Sequence, residues 1–213
     1  MLQTHVTQLL GLLSLAKRLH RYDTSTMIAF MAPTLDTKPY PLSVEAYHAL
    51  GDLGLVSEEV ELLDGFLYRK MSKSPLHETI VHRLLKVISA ALSNEYLVTK
   101  ERPLSTPTSE PEPDLAVIRG SDEDFTHSHP STAELVVEVS INTLARDRQK
   151  ADIYAAAGVT EYWLIEPEQN SCTIFTQPSS TGYQASQKYV SVVEIRCGAL
   201  PQLVVSLEQI LRH

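Results

Sequence analysis

The run Leu135-Val136-Val137-Glu138-Val139 is apolar except for one carboxylate. Apolar character on both faces is how a strand covered on both sides reads. An ionised glutamate there is costly unless it is paired, hydrogen-bonded or bound to a metal. Two readings of Glu138 follow: a salt bridge to a cation on the next helix, or metal ligation and acid–base work. Asp114 follows Pro113, at the point where a loop becomes the strand Asp114-Leu115-Ala116-Val117-Ile118. Taken alone, it is an ordinary turn residue. Lys150 falls on the helix after the Glu138 strand, with Arg146 four residues earlier on the same face. Taken alone, it is a solvated lysine.

The three residues are more informative together. Neighbouring strands can bring two carboxylates to one end of a sheet, and a crossover helix can return an ammonium over that end. Two carboxylates with open coordination positions suit Mg²⁺, a hard cation that keeps waters and takes phosphate oxygens. Such an ion acidifies a bound water and offsets charge on a phosphoryl oxygen. A lysine beside it can orient the water or stabilise the same charge. The set is chemically complete for phosphodiester hydrolysis.

The elements that must position these groups can be read around them. A Ser43 N-cap and helical apolar spacing predict a helix over 42–50. Glu61-Leu62-Leu63-Asp64-Gly65-Phe66-Leu67-Tyr68 predicts a hairpin, because Asp-Gly tolerates the positive φ angles of a tight turn. Leu76, Ile80, Leu84, Val87, Ile88 and Leu92 form an apolar stripe at spacings of three and four, predicting a helix over 75–95. A short strand is expected at 96–99. Pro107, Pro111 and Pro113 exclude a long helix over 105–113. A helix over 145–157 ends near Gly158, and Glu161-Tyr162-Trp163-Leu164-Ile165 is the next buried strand. Strand–helix–strand over 135–165 predicts a right-handed crossover between parallel strands. Short meander strands at 173–175 and 183–185 and a closing helix at 206–211 complete the reading.

The chain has 213 residues and is 43% hydrophobic, enough for one sizeable core. Its domain is expected over 41–213, with 1–40 as an N-terminal extension and linker. The apolar stretch at 9–16 lacks preceding positive charge and is followed by Lys17, Arg18 and Arg21, the wrong order for a secretion signal. Met27 and Met31 are alternative starts. No apolar run approaches a bilayer span, so no membrane partner is expected. Two cysteines, Cys172 and Cys197, supply neither a four-cysteine zinc site nor a disulfide framework. A cytoplasmic protein is expected. With 18 Lys and Arg against 26 Asp and Glu, the formal charge is −8. A chain this acidic does not coat nucleic acid nonspecifically.

The stretches Glu61-Leu62-Leu63-Asp64-Gly65, Ser74-Pro75-Leu76-His77, Pro113-Asp114-Leu115-Ala116-Val117 and Glu138-Val139-Ser140 resemble the PD-(D/E)XK nuclease superfamily. So do Asp147-Arg148-Gln149-Lys150, Tyr154-Ala155-Ala156-Ala157-Gly158-Val159 and Glu161-Tyr162-Trp163-Leu164-Ile165. Their order looks like that of a large restriction-endonuclease-like branch abundant in cyanobacteria, and it covers the chain from about Leu42 onward. The resemblance implies an α/β fold with a mixed central sheet flanked by helices. It also implies a metal-dependent DNA endonuclease using Mg²⁺, or Mn²⁺ in its place. Asp114 and Glu138 would be metal ligands and catalytic residues. Glu61 would be a further metal ligand, in the role of the acidic residue that many members carry before the PD strand. The superfamily's lysine position, two residues after the glutamate, is Ser140 here, so the resemblance moves that role to Lys150 on the following helix.

Each assignment has a plainer counterpart. Glu61 also reads as a charged hairpin residue, and Asp64 as a turn residue. His77 reads as a neighbour of the site or as an ordinary first-turn side chain. Tyr154 reads as a partner of Lys150 or as core, and Trp163 as core. Arg119, Arg146, Arg148, Lys150, Lys70 and Lys73 are phosphate contacts or solvated surface. DNA is the expected substrate, and a homodimer suits an enzyme that cuts two strands. The competing functions are a catalytically silent DNA- or protein-binding module on the same fold and a structural homodimer whose Glu138 pairs with Arg146 or Arg148.

Overall fold

The structure is a computed structural model and describes residues 39–191 and 194–212. The expected extension, including the apolar stretch at 9–16 and the alternative starts Met27 and Met31, lies outside them up to residue 38. Every element below falls within the unit Tyr40–His213.

The chain opens with α1 (Val44–Asp52), capped by the Ser43 hydroxyl accepting from the Ala46 N–H. The hairpin β1 (Val60–Leu63) and β2 (Phe66–Arg69) turns through Asp64 and Gly65, with φ of 51° and 81°. Next come α2 (Pro75–Ala91), β3 (Tyr96–Lys100), β4 (Leu115–Arg119), β5 (Leu135–Val139) and α3 (Leu144–Ala156). They are followed by β6 (Glu161–Glu166), β7 (Ser171–Ser179), β8 (Gly182–Val190), β9 (Glu194–Arg196), β10 (Val204–Ser206) and α4 (Leu207–Leu211).

Six strands form one mixed sheet in the order β3-β4-β5-β6-β7-β8. β5 and β6 run parallel and are linked by α3, and every other neighbouring pair is antiparallel. Period-two alternation divides the strand residues between two cores. Leu115, Val117, Leu135, Val137, Trp163 and Ile165 join the α2 side, where β9, β10 and α4 also pack. Ala116, Val136, Tyr162 and Leu164 join the opposite side, with Ala151 and Tyr154 of α3. Glu138 shares the parity of Val136 and therefore faces α3. This is the α/β architecture expected, a mixed sheet covered by helices on both faces.

Several boundaries differ from the sequence reading. The helix expected to reach 95 ends at Ala91, with Leu92 already extended. Ser93 and Asn94 favour a turn, and the Ser93 carbonyl accepts from the Tyr96 N–H. The strands expected at 173–175 and 183–185 are nine residues each, paired over their whole length. Their half-exposed, largely polar sequence gives little alternation to read. The β9–β10 hairpin has three residues per strand and no period visible in the sequence.

Candidate functional site

Asp114 immediately precedes β4, one step beyond the paired residues Leu115 and Val137. It therefore lies across from Glu138 at the same end of the sheet. The Val139 N–H donates to Asp114 Oδ2 at 2.8 Å, and the Asp114 N–H approaches Glu138 Oε2 at 3.4 Å. His77 Nε2 is 2.9 Å from the same Asp114 oxygen, and Lys73 Nζ is 3.2 Å from Oδ1. His77 is placed by the start of α2, where Pro75 opens the helix and the Ser74 hydroxyl caps the His77 N–H.

Glu138 meets α3. Lys150 Nζ donates to Glu138 Oε1 at 3.2 Å, and the Tyr154 hydroxyl donates to the same oxygen at 2.7 Å. Lys150 and Tyr154 are one helical turn apart, so both reach one point. The Lys150 ammonium also lies 3.0 Å from Glu61 Oε2. Glu61 is held there by its hairpin. Leu42 N–H donates to the Gly65 carbonyl, Gly65 N–H to Thr108, and Glu110 N–H to Leu62. These bonds dock β1 on the proline-rich segment and bury Glu61.

Glu61, Asp114, Glu138 and Lys150 thus line one pocket, together with Lys73, His77, Arg146 and Asp147. All four of the first group are buried. Burial, reinforced by the Asp114 and Asp147 carboxylates and opposed by Lys150, pushes the Glu138 carboxyl up to about 8. Burial also works to raise Asp114, but the His77 hydrogen bond and charge, the Val139 N–H and Lys73 together hold it below its ordinary value. For Lys150, burial favours the neutral amine, yet Glu138 and Glu61 outweigh it and keep the ammonium charged. The two carboxylates across the sheet are therefore driven in opposite directions.

Glu138 does not pair with Arg146 or Arg148. Arg146 lies 3.8 Å from Glu61, and Arg148 lies 3.6 Å from Glu166 on β6. Helix geometry explains this, since only Lys150 sits on the α3 face directed at Glu138. His77 touches the site, and Tyr154 is both core and site. Lys73 and Asp147 carried no individual signal in the sequence. Lys73 acts through a loop contact, and Asp147 through a Thr143 hydroxyl bond at the start of α3. Trp163 is core, its indole N–H donating to Glu161 at 2.6 Å. Among the described residues, no three His, Cys, Asp or Glu side chains already form a ligand cluster. The Lys150 ammonium stands between Glu61 and Glu138, and Asp114 is engaged by His77, Lys73 and the Val139 N–H. The donor types nevertheless fit a hard divalent cation: carboxylate oxygens facing a pocket where further positive charge would relieve Glu138.

Fold and site together define a restriction-endonuclease-like protein of the PD-(D/E)XK type. Residues 44–208 match the Uma2 family, described as "Putative restriction endonuclease", and the chain belongs to that family. Its fold is similar to the crystal structure of a putative nuclease belonging to DUF820 from Anabaena variabilis. That match has a TM-score of 0.65 and 14% identity, covering 80% of this chain and 98% of the other. A comparison with curated proteins gives no match. Among the described residues, no helix is long and apolar enough to cross a membrane.

Proposed function

We propose that the protein is a metal-dependent endonuclease that hydrolyses phosphodiester bonds in DNA. The observation that carries this reading is the meeting of Glu61, Asp114, Glu138 and Lys150 in one pocket at the end of the sheet. Asp114 and Glu138, with Glu61, would hold Mg²⁺, or Mn²⁺ in its place. When bound, the ion supplies an acidified water and offsets charge on a phosphoryl oxygen. The chain's own residues do the rest. His77 and the Val139 N–H fix the Asp114 carboxylate, and Tyr154 fixes Glu138. The Lys150 ammonium, kept charged by two carboxylates, is positioned to stabilise the phosphoryl oxygens as negative charge builds. Water oxygen bonds to phosphorus, the bond from phosphorus to one sugar oxygen breaks, and that oxygen takes up a proton. The products are a phosphate monoester and a hydroxyl.

The test is cleavage of supercoiled and linear DNA in Mg²⁺ or Mn²⁺ by the wild type and by Asp114→Ala, Glu138→Ala and Lys150→Met. Each variant should lose on the order of a hundredfold or more, the scale set by removing one transition-state stabiliser. No cleavage by the wild type, or equal cleavage by the aspartate and glutamate variants, refutes the assignment. A second reading is favoured by one observation: Lys150 already fills the space between Glu61 and Glu138. On that reading the domain is a silent DNA- or protein-binding module. Calorimetry with Mn²⁺ separates the two, because the silent module takes up no ion through these carboxylates.

A further inference from the structure

The hairpin face beside the pocket has no role in the reaction above. β2 is exposed along its whole length. Phe66, Leu67 and Tyr68 are 40%, 41% and 39% exposed, and Met71 just beyond is 52% exposed. Contiguous large apolar side chains on a surface mark contact with something else.

The hairpin register shows which of them adjoin the site. Tyr68 is paired with Glu61 and Phe66 with Leu63. Residues directly opposite in an antiparallel pair project from the same face, so Tyr68 and Phe66 stand on the Glu61 side. Arg146 links that face to the pocket. Its guanidinium carbon lies 5.8 Å from the centre of the Tyr68 ring, and its Nη1 donates to the Arg69 carbonyl at 2.8 Å. The same side chain lines the pocket with Lys70, Met71 and Lys73. An aromatic face, a guanidinium and the acidic pocket therefore follow one another without a break.

Aromatic rings set beside cations are how proteins hold unpaired bases, the ring stacking on the base and the cation meeting the phosphate. A duplex stacks its bases on one another and offers a protein only their edges. An exposed ring has nothing to stack on there. The charge of −8 also disfavours tracking a long duplex through many phosphate contacts. Resting on the nuclease reading, we propose that the strand entering this pocket is unpaired, with one base stacked on Tyr68 and the adjoining phosphate against Arg146.

The test uses the full chain with a fluorescein-labelled oligodeoxythymidine strand and a blunt duplex of the same length. Anisotropy in EDTA measures binding without cleavage, and cleavage is followed separately in Mn²⁺. The single strand should bind at least about tenfold more tightly than the duplex. Tyr68→Ala should weaken strand binding by about five- to 150-fold, the range for loss of one base–aromatic stack. Tyr68→Phe keeps the ring and should bind as the wild type does, which distinguishes lost stacking from lost folding. Equal or tighter duplex binding, or unchanged binding by Tyr68→Ala, overturns the proposal. If Tyr68→Ala instead abolishes self-association in sedimentation while strand binding is unchanged, the face is a protein interface and the proposal also falls. Cleavage of duplex by the wild type with Tyr68→Ala unaffected would sink this inference while leaving the nuclease standing. Failure of the wild type to cut either substrate would sink the nuclease reading itself.

Discussion

Replacing Glu138 by glutamine removes one ionisable proton and changes almost no volume. In the metal-free protein, burial raises this carboxyl from its ordinary 4.5 to about 8. Between those values the folded chain holds a proton that the unfolded chain has released. Wild-type stability should therefore fall as pH rises across that window and level off above it. Below 4.5 both states are protonated, and the full stabilisation is present. Each pH unit of one group's shift is worth about 1.4 kcal/mol, so the span has an upper limit of roughly 5 kcal/mol. Lys150 and Tyr154 still donate to the glutamine oxygen, so the substitution breaks no contact. Urea denaturation in EDTA at a series of pH values should show similar stabilities near pH 4.5. By pH 9, Glu138→Gln should be the more stable protein by several kcal/mol. Added Mn²⁺ should then stabilise the wild type and leave the variant unchanged, because a ligand that binds only the folded state shifts the equilibrium by mass action. A difference that stays flat with pH, or a wild type that is more stable at pH 9, would refute the account of Glu138 as a carboxylate held against its own ionisation.

Two further substitutions test how the site is carried. Gly65→Ala places a Cβ 2.3 Å from the Pro41 Cβ at a φ of +81°, so both the turn and its docking are strained. It should cost roughly 2–3 kcal/mol in urea denaturation, and an unchanged midpoint would contradict the docking role given to this turn. Glu161→Ala removes the acceptor for the Trp163 indole at 2.6 Å and for the Gly198 and Ala199 N–H groups at 2.8 and 3.0 Å. It should destabilise by about 3 kcal/mol and shift the emission of the single tryptophan, while the cleavage rate per folded molecule stays the same. Unaltered emission and stability would show that this carboxylate does not tie the 198–199 loop to β6.

Much of this protein is written locally. The Asp64-Gly65 turn, the Ser43 and Ser74 caps, and the β5–α3–β6 unit follow from backbone preferences and apolar period that act over a few residues. Glu138 stood out because one carboxylate in an apolar strand is costly, and that cost depends only on its neighbours in sequence. The elements misjudged were those whose local signal is weak. β7 and β8 are half-exposed and polar, and β9 and β10 are held by pairing rather than by propensity.

The amino-acid order by itself determined that two acids would begin and end neighbouring strands, and that a lysine would follow on the crossover helix. It could not determine which cation meets which acid. Arg146, Arg148 and Lys150 differ by two to four positions, and only the rotation of α3 against the sheet selects Lys150 for Glu138 and Glu61. The same holds for His77 on Asp114, Tyr154 on Glu138 and Tyr68 beside Arg146. These contacts span elements distant in the chain. Their energies depend on burial and on separations of a few ångströms, which exist only once the sheet, helices and hairpin have packed.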